Sequence, residues 1–336
     1  MSTPSHARQT PGLHPYSALT PDLVVEAIEA VGYASDGRVL ALNSYENRVY
    51  QVGRDDSTPV VVKFYRPGRW STPAILEEHE FALELARAEL PIVAPEAHAG
   101  RTLFELGGFR YAVYPRQGGR WPELGTKDDR VWMGRFLARI HAIGRTRAFH
   151  HRPRLDWRAM GLETADYLLD QGWIPPHLEA AYESLVEDVL GLVERRFAEA
   201  TPYRTLRLHG DCHPGNVLWT DAGPHFVDLD DCMTGPAVQD LWMLLSGRPE
   251  EMSAQLHDLL EGYAEFADLD HHEISLIEPL RTLRIMHYAG WLARRWDDPA
   301  FPRAFPWFEE PKYWEQHVLD LREQLAAMEE PPLSIL

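Results

Sequence analysis

Apolar positions follow two rhythms along this chain. From Thr20 they return every three or four residues, at Leu23, Val24, Ala27, Ile28 and Val31, which predicts a helix with Thr20 as N-cap and Pro21 in its first turn. From Arg38 the rhythm shortens. Val39–Leu42, Val49–Val52 and Val60–Tyr65 read as strands, separated by turns at Asn43–Asn47 and Asp55–Ser57. Pro73–Leu90 reads as a helix capped by Ser71 or Thr72, with Ala74, Phe81, Leu85 and Ala88 inward, and Leu103–Leu106 and Phe109–Tyr114 as two more strands. Beyond Tyr114 the helical rhythm dominates. Asp128–Gly144, Leu178–Ala200, a helix opened by Pro236, Glu251–Ala267 and His272–Trp296 follow. The clearest amphipathic face is Tyr182, Leu185, Val186, Val189, Leu190, Val193 and Phe197. The fold class is α+β, an antiparallel sheet first and mostly helices after it.

One stretch breaks the helical run: RLHGDCHPGNVLWTDAGPHFVDLDD, from Arg207 to Asp231. It reads as a loop and then a hairpin, with Val217–Trp219 and Phe226–Val227 as strands and Asp221, Gly223 and Pro224 in the turn. Polar groups stand at both ends: Asp211, Asn216 in a D-x4-N spacing, and Asp228, Asp230 and Asp231. Phosphoryl transfer needs a carboxylate that orients an attacking hydroxyl and takes its proton, and hard oxygen ligands for a divalent cation. Asp211 fits the first role, Asn216 and Asp228 the second, and Asp230 could share the cation.

LHGDCHPGNVLW followed by FVDLDD resembles the aminoglycoside-phosphotransferase and choline-kinase branch of the protein-kinase-like fold, in which the catalytic loop reads HGD and the metal motif D-x-D. The longer runs LNSYENRVYQV, VVKFYRPGRW, ILEEHEFALEL, GPAVQDLWMLL and FPRAFPWF resemble the stress response kinase A family, also called the YihE or RdoA proteins. The resemblance implies a two-lobed kinase-like fold: residues 1–19 disordered, 20–115 an N-lobe over the nucleotide phosphates, and 116–336 a C-lobe with the catalytic loop, metal site and substrate groove. It implies ATP and Mg2+ as cofactors, and a serine/threonine protein kinase of the bacterial envelope and oxidative stress responses, acting on proteins with a Ser or Thr acceptor.

Other residues take their roles within that resemblance. Lys63 is a charge inside a β-prone run and needs an anionic partner. In a kinase this is the α- and β-phosphate pair, with a helix glutamate holding the ammonium. Glu77, Glu78 and Glu80 are available, and the resemblance selects Glu78, with Glu77 next. The strand ending at Tyr114-Pro115 resembles the hinge whose backbone holds adenine. No G-x-G-x-x-G lies between the first two strands, so Ser44 and the Ser44–Asn47 turn are expected to cover the phosphates. His209 supports the loop backbone, Asp240 accepts hydrogen bonds from it, and His141 is a packed core histidine.

Composition narrows the setting. Hydrophobic residues make up 45% of 336, and the net charge of −18 argues against nucleic acid and anionic lipid as partners. No apolar run reaches membrane-spanning length and the N-terminus lacks a signal-type apolar core, so a cytoplasmic protein is expected, with a monomer as its expected state. Both cysteines, Cys212 and Cys232, lie in the central stretch, where a secreted fold would not place its only disulfide. A zinc site at His209, Cys212 and His213 lacks a second ligand pair.

Two rival functions remain: a small-molecule hydroxyl kinase acting on choline, homoserine or an aminoglycoside, and a pseudokinase scaffold. Tyr288, Trp291 and Trp296 lie in one predicted helix and could form an aromatic cage for a cation. Arg284 and Arg295 in the same helix would repel one and favour an acidic peptide or a phosphate.

Overall fold

The computed structural model describes residues 14–55 and 58–335. The disorder expected at the N-terminus and the turn at Asp55–Ser57 lie largely outside them. In chain order the elements are α1 (Pro21–Ala30), β1 (Ser35–Ala41), β2 (Arg48–Arg54), β3 (Val60–Phe64), α2 (Thr72–Arg87), β4 (Phe104–Leu106) and β5 (Phe109–Pro115). Then come α3 (Lys127–Gly144), α4 (Glu163–Asp170), α5 (Glu179–Glu199), β6 (Leu206–Leu208), β7 (Val217–Thr220), β8 (Gly223–Phe226) and β9 (Met233–Gly235). Helices α6 (Val238–Trp242), α7 (Pro249–Tyr263), α8 (Ile277–Arg294), α9 (Ala300–Ala304) and α10 (Pro311–Glu329) complete the described chain.

Two compact units form. The first runs to Trp70 and adds Glu96–Arg116 and Trp291–Glu310; the second takes Ser71–Pro95, Gln117–Gly290 and the chain from Pro311 onward. The units are therefore not consecutive in sequence as 20–115 and 116–336 would be. Helix α2 groups with the second because it packs on α3 and on the 3-10 turn Leu229–Asp231. Residues 291–310 group with the first because Asp298 pairs with Arg48 at 2.9 Å and with Arg66 at 2.7 Å.

In the first unit, an antiparallel sheet of order β1-β2-β3-β5-β4 carries α1 on one face. Period-two alternation sorts the side chains. Val60, Val62 and Phe64 of β3 and Phe109, Tyr111 and Val113 of β5 join Val24, Ala27 and Ile28 of α1 in the core. Thr20 caps α1, its hydroxyl accepting from the Leu23 N–H at 3.3 Å. Tyr16, placed by composition in a disordered leader, is instead buried: its ring stacks on Phe109 and its hydroxyl donates to the Phe64 carbonyl at 3.2 Å.

The second unit is helical, with two small ribbons. Strand β6 pairs antiparallel with β9, Leu208 opposite Met233, and β7 pairs with β8 across a two-residue turn. Gly223 closes that turn at φ 107°, where a Cβ would lie 2.7 Å from the Trp132 ring. Helix α5 buries the seven residues of its predicted face and packs on α10.

Candidate active site

Strand β6 delivers His209, Gly210 and Asp211, and α6 fixes them. Asp240 of α6 is fully buried; one carboxylate oxygen accepts the His209 N–H at 2.8 Å and the other accepts the Gly210 N–H at 2.8 Å. Behind it, His141 is buried between Asp240 (3.1 Å) and the Tyr263 hydroxyl (2.9 Å). Gln239 donates to the Gly210 carbonyl at 3.0 Å and receives the Trp242 indole N–H at 3.1 Å. The His209 ring reaches the Val227 carbonyl at 2.9 Å, tying the loop to the residue before Asp228. His209 thus has a backbone partner rather than a reacting one.

Asp211 is the carboxylate this frame presents. Arg284 of α8 lies 2.5 Å from its Oδ1, and His213 lies 3.4 Å from Oδ2. Burial alone would raise its pKa, but the hydrogen bond from His213 and the charge of Arg284 outweigh it and hold the carboxyl well below the usual range. It is therefore ionised at any physiological pH.

Asn216 sits in a 3-10 turn at Pro214–Asn216 and uses its amide NH2 on the Asp211 carbonyl (2.9 Å) and carboxylate (3.3 Å). Its side-chain carbonyl oxygen accepts no hydrogen bond among the described residues, which leaves a hard oxygen for a cation. Asp228 follows β8 in a left-handed conformation, φ 58° and ψ 69°, which costs a non-glycine residue about 1–3 kcal/mol. Its side chain is exposed, whereas Asp230 two positions on is buried. An exposed carboxylate and an unused amide oxygen fit a divalent cation that completes its shell with phosphate and water. Among the described residues no group of three or more His, Cys, Asp and Glu forms a self-sufficient metal cage.

The turn that carries Asp228 rests on Arg152. This buried guanidinium donates to the Cys232 carbonyl at 3.0 Å and to the Asp230 carbonyl. Burial disfavours its charge, but Glu78, Asp230 and Asp231 restore it and raise its pKa. The backbone leading into Arg152 is gripped by Glu77, whose carboxylate accepts N–H groups of His150 (2.7 Å), His151 (2.7 Å) and Arg152 (2.9 Å). The sequence left Glu77 and Glu78 as alternatives. Glu77 holds a loop, and Glu78 is the buried one.

Ser44, Lys63 and Tyr114 belong to the first unit. Lys63 is buried on β3 opposite Val49 and Ala112, with its ammonium 4.9 Å from the Tyr65 ring centre. By alternation it shares the sheet face away from α1 with Val61, Ala112 and Tyr114. The Tyr114 and Tyr65 hydroxyls are 3.0 Å apart. Ser44 clamps the β1–β2 turn from within, its hydroxyl accepting from the Val49 N–H at 3.1 Å. Further braces hold this turn rigid without glycine. Asn47 accepts the Arg66 N–H at 3.1 Å, and Glu46 is bound by Arg66, Arg295 and the Trp291 indole. Burial pushes the Glu46 pKa up, and Arg69, Arg295 and Arg66 more than reverse it.

Comparison with known proteins fixes the lineage. Residues 38–275 match the model of the phosphotransferase enzyme family. Stress response kinase A of Escherichia coli (strain K12) is 45% identical over 320 residues, covering 95% of this chain and 97% of that protein. Serine/threonine protein kinase RdoA of Salmonella typhimurium (strain LT2) is also 45% identical, over the same shares of both chains. The chain belongs to the stress response kinase A family. Among solved structures, an amicoumacin kinase in complex with AMP-PNP, Ca2+ and Ami superposes with a TM-score of 0.72 at 18% identity, over 93% of this chain and 94% of that one. The α+β, two-lobed kinase-like fold expected from the sequence is the fold observed, and the protein is a phosphotransferase.

For this phosphotransferase, sequence reasoning missed Arg284 as the partner of Asp211 and Arg152 as the support of the D-x-D turn. Nothing local signals either, since Arg284 is 73 residues from Asp211 and Arg152 is 78 from Asp230. One expectation also changes. Arg295, credited with repelling cations from a substrate groove, is bound to Glu46 at 3.0 Å. Trp291 and Trp296 are not cage walls: Trp291 packs on Phe301 and Phe305, and Trp296 on Phe308.

Proposed function

We propose that this phosphotransferase is an ATP-dependent serine/threonine protein kinase of the bacterial envelope and oxidative stress responses. The observation that carries the reading is Asp211, an ionised carboxylate on a loop locked by Asp240 and hydrogen-bonded to Asn216. In the reaction the acceptor hydroxyl oxygen attacks the γ-phosphorus and the bond to the β,γ-bridging oxygen breaks. ADP leaves, and the hydroxyl proton passes to Asp211. Asn216 and Asp228 would hold Mg2+, which when bound would neutralise charge on the phosphates. Asp230, whose backbone carbonyl accepts from Arg152, would join them as the auxiliary ligand. Lys63 and Ser44 contact the phosphates, Tyr114 lies at the adenine edge, and Glu78 keeps the glutamate role.

Relatives named stress response kinase A and serine/threonine protein kinase support a protein acceptor. The cytoplasm suits two buried, unbridged cysteines, and no described helix is long and apolar enough to cross a membrane.

The test offers γ-labelled ATP with choline, homoserine, an aminoglycoside and generic acceptor proteins side by side. Label in protein, including the kinase itself, is expected. Strong transfer to a small molecule with none to protein would replace this reading by a small-molecule kinase.

A further inference from the structure

A cavity of about 440 Å³ opens in the second unit beside Asp211, lined by His213, Arg281, Arg284, Tyr288, Tyr313 and Asp320 among others. Its charge runs against that of the protein. The chain carries −18 overall, yet two guanidiniums stand together in this recess, on successive turns of α8. Arg281 is held over the Trp242 ring, 5.7 Å from its centre, and lies 3.4 Å from Glu278. Asp320 is the one carboxylate of the lining, and it accepts a hydrogen bond from Gln316 at 2.7 Å. His317 in the same wall is buried, which drives its pKa down to about 4 and keeps it neutral.

The contact between Arg284 and Asp211 occupies the atoms that the reaction needs. Arg284 takes Oδ1, while Asn216 and His213 face Oδ2. An acceptor hydroxyl reaches the base only if Arg284 turns away, and Arg284 has the freedom to do so, with 41% of its side chain exposed. A cationic acceptor would be repelled by Arg281 and Arg284 and would leave Arg284 on the base. An anion offers the guanidinium a replacement partner, since carboxylates and phosphates both match its forked geometry.

We infer that this cavity is the acceptor subsite and that it selects a hydroxyl whose neighbouring group is anionic, a carboxylate or a phosphate, which exchanges with Asp211 for Arg284 and so uncovers the base. The inference rests on the kinase reading and names the substrate class of that site. It makes Arg284 both a specificity residue and a guard on the base, with Arg281 as the second anion contact.

The probes are synthetic serine peptides that differ only in the residues flanking the serine: aspartate, phosphoserine, alanine or lysine. Initial rates with labelled ATP are expected to favour the aspartate or phosphoserine peptides over the alanine one by at least about tenfold in kcat/KM, with lysine poorest. The two anionic arms tell which source is preferred. In Arg284→Ala and in Arg281→Ala the ratio should collapse toward one, chiefly through KM for the anionic peptides, and Arg284→Lys should keep part of it. Thermal melting shows that each variant is folded. Equal or better use of alanine or lysine peptides, or an unchanged ratio in both alanine variants, would overturn the inference and leave the kinase reading standing. Absence of transfer to any peptide or protein would overturn both.

Discussion

Asp240 accepts the backbone N–H of Gly210 at 2.8 Å, and Gly210 tolerates no other residue: at φ 85°, a Cβ would lie 2.2 Å from the Asp231 carbonyl oxygen. The His209–Asp211 loop is thus pressed between α6 and the Asp228–Asp231 turn. Its conformation is set from behind by a buried carboxylate and in front by backbone contact. This makes the position of Asp211 a property of the core and not of a flexible loop.

Disturbing either wall should therefore unseat Asp211. Asp240→Asn turns one acceptor oxygen into an NH2 facing a backbone N–H, and is expected to lose about 2–3 kcal/mol of stability. Gly210→Ala adds left-handed strain and the clash with Asp231, and should lose at least about 2 kcal/mol. Urea unfolding monitored by tryptophan fluorescence checks both. Transition midpoints equal to that of the parent would mean that the loop is not braced as described.

Glu273 offers a pH test remote from Asp228. It caps α6 by accepting the Val238 N–H at 3.0 Å, and burial, reinforced by Asp270, raises its pKa from 4.5 to about 7. A carboxyl raised on folding stabilises most below its unfolded pKa, and that share is lost as pH rises through about 7. The loss is up to roughly 3 kcal/mol. Melting temperature should thus fall from pH 5.5 to pH 8 more steeply in the parent than in Glu273→Gln, which keeps an acceptor for Val238. Parallel profiles would contradict this origin of the raised pKa.

The helices α1, α2, α3 and α5 are legible because one buried face imposes a single period on each, and β2, β3 and β5 because each is a short run of β-branched and aromatic residues between turns. Strand β1 begins earlier than its apolar rhythm, at Ser35, where polar Ser35-Asp36-Gly37 joins the sheet with an irregular register before Val39. Helix α10 carries its own rhythm at Trp314, Val318, Leu321 and Met328, but the Pro- and Trp-rich run before Pro311 hides where it starts. At the site, the D-x4-N spacing brings Asp211 and Asn216 into one hydrogen-bonded pair. The partners of Arg152, Arg284 and Asp298 were not legible, since long-range contacts depend on packing and leave no periodic trace. Glu77 and Glu78 differ by one step along a helix, and only the position of the His150–Arg152 loop separates their roles.

The cysteines should be inert. Cys212 and Cys232 are fully buried, and burial pushes both thiols up. Asp240 and Asp211 add to this at Cys212; at Cys232, Glu78, Asp230 and Asp231 do so against the charge of Arg152. Thiolate, the reactive form, is scarce in such surroundings. Native protein treated with a chromogenic disulfide reagent should react at the rate of its unfolding, and both thiols should appear at once in denaturant. Rapid loss of both native thiols together with activity would instead mark a redox sensor.

The division of labour between the two aspartates is the core of the account, and calorimetry with Mg-ATP beside a turnover assay measures it directly. Asp211→Asn should keep Mg-ATP binding close to that of the parent and lower turnover by about a hundredfold or more, the scale of a lost positioned base. Asp228→Asn should weaken both, because it removes a charge that the cation needs. Loss of nucleotide binding in Asp211→Asn with normal binding in Asp228→Asn would contradict the assignment.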